Sequence, residues 1–144
     1  MTLVADVRSA RAFPVTLRGV GALSLLAAAA AHVPVAPEHL REAPYMGVAF
    51  IGFSVIATLL AVLVAAAGSR IGYALAAGLC GAAIGMYALT RIVALPQLAD
   101  DVGNWTEPLG VVSVATELVA LIASAAALAV HRRNAAGHGG RSGI

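Results

Sequence analysis

"AVLVAAAGSRIGYALAAG", residues 61–78, separates two long apolar runs by only Gly68, Ser69 and Arg70. A hydrocarbon core of about 30 Å needs roughly 20 apolar residues as helix, and the runs on either side of this stretch supply them. A three-residue connection between two such helices forces them antiparallel. Working outward from this hairpin, spans are predicted at 15–33, 45–67, 71–95 and 108–131. The connections 34–44 and 96–107 then lie together on the side opposite Gly68. The expected fold is all-α: a transmembrane four-helix bundle, up-down-up-down, with a short interfacial helix in the first outer loop. Residues 1–14 read as a cytoplasmic N-terminal segment, 15–131 as the four-span membrane domain and 132–144 as a disordered cytoplasmic tail.

Composition agrees with that frame. Of 144 residues, 60% are hydrophobic and 11% charged, with a mean hydropathy of +0.91, against about 25% charged in soluble domains. Unbroken apolar runs also exclude the alternating pattern of barrel strands. The net charge of +2 is spread along the chain, which excludes a nucleic-acid face. Cys80 is the single cysteine, so neither an internal disulfide nor a redox dithiol can form. It reads as a small buried residue.

Basic residues set the orientation. Arg8, Arg11, Arg18, Arg70, Arg132, Arg133 and Arg141 fall on one side, with Arg41 and Arg91 at or near the other. By the positive-inside rule both termini are expected in the cytoplasm, and the protein in a bacterial inner membrane. An alternative is a secretory signal peptide cleaved among Ala27 to Ala31, because arginines followed by "GVGALSLLAAAAA" have that layout.

Two ionisable residues fall within spans, Arg91 and Glu117. Each costs about 2.5–3.5 kcal/mol at a helix centre unless it finds a partner. At 100° per residue Gly110, Ser113, Glu117, Ala120, Ser124 and Ala127 share one face, while Val112, Val119, Ile122 and Ala126 lie away from it. Glu117 is therefore expected to face the bundle interior. Arg91 shares a face with Cys80, Ile84 and Tyr87, and the glycines of "GAAIG", Gly81 and Gly85, supply a close-approach motif nearby. An Arg91–Glu117 ion pair between the third and fourth spans is the simplest expectation.

"HVPVAPEHLREAPY", residues 32–45, caps the same end. Pro34 and Pro37 stop the first span. Pro37 and Glu38 suit the first turn of a short helix, and Pro44 starts the second span. His39 and Glu42, three apart, share a face of that helix, with His32 just below. His32, His39, Glu42, Tyr45, Tyr87, Arg91 and Glu117 are thus the candidate ligand-binding residues. Two imidazoles and a carboxylate, His32, His39 and Glu42, are a donor set suited to a zinc, copper or iron ion. Haem fits poorly, since the two histidines cannot flank one porphyrin. In "PQLADDVGNWTEPLG", Trp105 reads as an interface anchor, Pro108 as a helix start, and the acidic pair Asp100 and Asp101 as a lid over the cluster or as solvated loop carboxylates.

On "PEHLRE", "TRIVALP" (Thr90–Pro96) and "EPLGVVSVATE" (Glu107–Glu117) the chain resembles a group of small bacterial four-helix integral membrane proteins without an assigned activity. The resemblance implies a four-helix membrane fold and an outer cluster of His39, Glu42, Arg91 and Glu117, and no reaction. The expected function is an outward-facing polar pocket that binds a small ligand or metal ion, in transport or sensing. The alternative is a non-catalytic accessory subunit that contacts other membrane subunits or copies of itself. An enzyme ranks third, since no nucleophile stands with a base and no phosphate loop or redox dithiol is present.

Overall fold

A computed structural model describes residues 2–139, with side chains described over 15–135. The order is α1 (Thr2–His32), α2 (Ala36–Glu42), α3 (Pro44–Ala67), α4 (Arg70–Ile92), a 3-10 turn (Ala99–Asp101) and α5 (Pro108–Gly139), with no strand among the described residues. Four stretches are long and apolar enough to cross a membrane: Val15–His32, Pro44–Ala67, Arg70–Ile92 and Pro108–Ala135.

The boundaries differ from expectation at three places. α1 is continuous from Thr2, through the segment read as preceding the first span. α4 stops at Ile92 rather than 95; Pro96, four residues on, has no N–H to give the Ile92 carbonyl, so a helix carried on to it would lose its closing bond. α5 continues past 131 to Gly139, where a disordered tail was expected. Met1 and the final part of that tail, 140–144, lie outside the described residues.

Local chemistry fixes the helix ends. α2 carries Pro37 and Glu38 in its first turn, and α3 starts on Pro44. Gly68, at φ 54°, ends α3 in the left-handed region that glycine adopts without strain. The carbonyls that α3 leaves unpaired there are taken up by side chains. Arg18 donates to the carbonyls of Ala65 and Ala66, and His131 Nε2 lies 3.1 Å from the Gly68 oxygen. Ser69 caps α4, its hydroxyl accepting from the Gly72 N–H at 3.1 Å.

α1 packs on both α3 and α5, and α4 packs on α5. The interior is made mainly of small side chains, with Leu25, Ala28, Ala57, Val64, Ala76, Cys80 and Ala120 fully buried around Tyr73. Small residues let helices approach closely where lipid gives no hydrophobic drive between them. The inward face read for the fourth span holds: Ser113, Glu117, Ala120, Ser124 and Ala127 are buried, and Val112, Val119 and Ile122 are exposed. The close-approach motif on α4 does not. Gly81 and Gly85 have open space where a Cβ would stand. α4 instead turns Tyr73, Ala76 and Cys80 inward.

Candidate functional site

α3 and α4 are in contact at their shared turn, where a Cβ on Gly72 would stand 3.4 Å from Leu63. Further along they separate around a cavity of about 510 Å³. Its wall is apolar over most of its length, with Phe50, Phe53 and Ile56 from α3 facing Leu79, Ala83 and Met86 from α4. Its polar groups are supplied by five elements: His32 ends α1, Glu38 and His39 come from α2, Tyr87, Thr90 and Arg91 from the last turns of α4, Asp101 and Glu107 from the following loop, and Ser113 and Glu117 from α5.

Glu117, 2% exposed, accepts the Ser113 hydroxyl at 3.0 Å and stands 3.7 Å from His32 Nε2. His32 Nδ1 lies 2.8 Å from the Ala28 carbonyl. A carbonyl can only accept, so Nδ1 carries the proton, and Nε2 is the nitrogen that faces the acid. Ser113 Oγ sits nearly midway between the ring nitrogens, at 3.3 and 3.4 Å. These three residues have the membership of a hydrolytic triad without its wiring, since no carboxylate orients Nδ1 and the acid and the hydroxyl meet on one edge of the ring. They form a buried polar network.

His39 repeats the pattern one element later. Its Nδ1 donates to the Val35 carbonyl at 2.9 Å, and its other edge is left for the cavity. The Phe50 ring packs edge-on against both imidazoles, with centroids 5.1 Å from His32 and 4.8 Å from His39. The expected metal set of His32, His39 and Glu42 does not assemble. Glu42 is exposed and lines no part of the cavity, and among the described residues no three of His, Cys, Asp and Glu are grouped to hold a metal ion.

The expected Arg91–Glu117 ion pair is absent as well. Both residues line the cavity, but Arg91, 7% exposed, takes a different acid. Its Nη1 meets Asp101 Oδ1 at 2.6 Å and donates to the Asp101 carbonyl at 3.2 Å. The guanidinium lies over the Tyr87 ring, 4.6 Å from its centroid. Its Nε is buried without a hydrogen-bond partner. The loop is tied down around it: Gly103 N–H donates to the Arg91 carbonyl at 2.9 Å, and Tyr87 Oη donates to the Trp105 carbonyl at 3.0 Å. Glu107 folds back to accept the N–H groups of Leu109 (3.0 Å) and Gly110 at the start of α5. A Cβ at Gly110 would come within 2.6 Å of the Tyr87 ring and 2.7 Å of the Glu107 carboxylate, so any larger residue there must displace one or both.

Of the seven expected ligand-binding residues, His32, His39, Tyr87, Arg91 and Glu117 line one cavity. Tyr45 does not. It is 46% exposed and donates its hydroxyl to the Pro96 carbonyl at 2.7 Å, strapping α3 to the loop after α4. Glu38, Thr90, Asp101, Glu107 and Ser113 line the cavity and were not among the candidates. Ser113 could have been found, because it stands four residues before Glu117 on the same helical face. Compared with protein-family models, with curated proteins and with solved structures, the chain finds no match.

Proposed function

We propose that this chain is an up-down-up-down four-helix protein of the bacterial inner membrane, with both termini in the cytoplasm and α2 lying in the outer interface. In this reading the cavity opens outward and binds a small ligand with an apolar body and one polar end, in transport or sensing. The observation that carries it is the juxtaposition in one cavity of a long apolar wall with buried Arg91, Glu117 and His32. A volume of about 510 Å³ falls among small-molecule sites, which run from about 300 to 1,000 Å³ and combine apolar walls with a few convergent polar groups. Intramembrane ionisable groups are costly to keep, which favours a use for them beyond packing.

The Arg91 guanidinium, beyond the Nη1 held by Asp101, and His39 Nε2 are the donor and the acceptor left to a ligand. Glu117 is held ready by Ser113, and Asp101 keeps Arg91 in place. An organic ligand suits this arrangement better than an ion, because the wall is largely apolar and no three metal-ligating side chains are grouped among the described residues.

The test is native mass spectrometry of protein taken from its own membranes into nanodiscs. The expected result is a discrete one-to-one adduct in the wild type that is lost in Gly52→Leu. Gly52 lines the cavity and has open space at its Cβ position, so a leucine enters there with no clash at its Cβ, takes up cavity volume and improves helix propensity. An adduct that persists in Gly52→Leu, or a wild type that carries none, overturns the reading. The second reading, an accessory subunit, is favoured by the open face of α4 at Gly78, Gly81 and Gly85. Stoichiometric copurification of another chain would support it.

A further inference from the structure

The cavity does not end at its apolar wall. A second hollow of about 320 Å³ lies between α3 and α4 nearer their turn, bounded by Leu60, Ala74, Leu75 and Gly78, and it shares Ile56 and Leu79 with the first. The two make one apolar seam that runs down the side of the molecule, where Ile56 and Leu75 are about half exposed. From Met46 to Leu60 along α3 is about 21 Å at 1.5 Å per residue.

This geometry deepens the ligand-binding reading and rests on it. We infer that the ligand is a single-chain membrane amphiphile that enters sideways from the bilayer, its alkyl chain lying in the α3–α4 seam and its uncharged, hydroxyl-bearing head held at Arg91 and Glu117.

The chain follows from the seam, which lies within the apolar spans and opens on their flank rather than at a helix end. A chain moving from lipid into a groove of the same polarity gains little from the transfer itself, so the head decides affinity and the seam needs only to admit the tail. The head follows from the charges around it. Arg91 is already offset by Asp101, and Glu107 is occupied at the start of α5. Glu38 and Glu117 remain, so an anionic head would meet repulsion without a free cation to balance it. A cationic head could meet Glu117 but could not accept from the Arg91 guanidinium, which lines the cavity beside it. A hydroxyl does both, accepting from the guanidinium and donating to the carboxylate. A monoacylglycerol is the simplest amphiphile of this kind.

The experiment uses full-length protein in phosphatidylcholine nanodiscs and an oleoylglycerol analogue with a photoreactive diazirine at the far end of its chain. Labelling is expected to saturate at one per protein and to map to Leu60, Ala74 and Leu75. Unlabelled oleoylglycerol should displace it, with oleate and oleylamine at least about tenfold weaker, a factor worth about 1.4 kcal/mol. Gly78 has open space at its Cβ position and borders the lower hollow, so Gly78→Leu should drive the label out of that hollow. Gly52→Leu should remove saturable labelling altogether.

Saturable labelling confined to the segment around Met46 and Phe53, or unchanged by Gly78→Leu, overturns the seam and leaves the cavity reading standing. Displacement by oleate or oleylamine as readily as by oleoylglycerol overturns the uncharged head. No saturable labelling, while the native adduct of the wild type is still lost in Gly52→Leu, overturns the amphiphile alone. Labelling and adduct both indifferent to Gly52→Leu overturn the cavity reading itself.

Discussion

Arg91 and Asp101 meet at 2.6 Å, and the pair fixes the loop between α4 and α5 to the wall of the cavity. Arg91 is 7% exposed and Asp101 about a quarter exposed, so the guanidinium depends on this one carboxylate for charge compensation. Asp101→Asn keeps the shape and removes the charge. It should lower stability by about 2–3 kcal/mol, the range for a charge-assisted bond whose partner stays buried. Amide hydrogen exchange over residues 93–107 should rise several-fold. Asp100→Asn, at an exposed side chain, should leave both unchanged; equal effects from the two would show that the pair holds nothing.

Gly110 and Gly81 give a paired prediction on helix packing. Alanine at Gly110 would push against the Tyr87 ring and the Glu107 cap, and overpacking of this kind costs about 1–3 kcal/mol. Alanine at Gly81 meets nothing, and should stabilise by up to about 1 kcal/mol through helix propensity. Thermal unfolding in one detergent, with the two variants side by side, reads the difference, and a melting point for Gly110→Ala at or above the wild type would contradict the packing described here.

The two buried serines of α5 should respond in opposite directions. Ser124 Oγ is buried with no partner, so Ser124→Ala should be neutral or stabilising by about 1 kcal/mol. Ser113 donates to buried Glu117, and Ser113→Ala should cost about 1.5–3 kcal/mol. Denaturation followed by circular dichroism would separate them, and a destabilised Ser124→Ala would mean that its hydroxyl has found a partner after all.

Chelation offers a check on the histidines. Because no three metal-ligating side chains are grouped among the described residues and Glu42 stands outside the cavity, dialysis against a strong chelator should leave the melting temperature and the native adduct unchanged. Elemental analysis should find no metal that tracks protein concentration. Stoichiometric zinc, copper or iron lost in His39→Ala would reverse the assignment.

Much of the architecture was legible because it repeats. Unbroken apolar runs divided by Gly68–Arg70 and by proline-bearing connections mark four long helices whatever their neighbours are. The 100° step of a helix placed Ser113, Glu117 and Ala120 on one buried face, as the structure has them. Pro37 and Glu38 announced α2 through their fit to a helix's first turn. The motif that misled was Gly81 and Gly85, because glycine spacing shows where helices could approach and not which face the neighbouring helix takes.

The pairing of the charges was not legible. The sequence by itself determined that Arg91 and Glu117 must each be sheltered, since the cost of an ionised group among apolar side chains belongs to the group and its span. Only the tertiary structure decided that Asp101 would shelter the one and Ser113, beside His32, the other. Which partner wins depends on the path of the loop after Ile92 and on the parting of α3 from α4 above their turn. Both are set by side chains far apart along the chain meeting within a few ångströms, and no periodicity in the sequence encodes them.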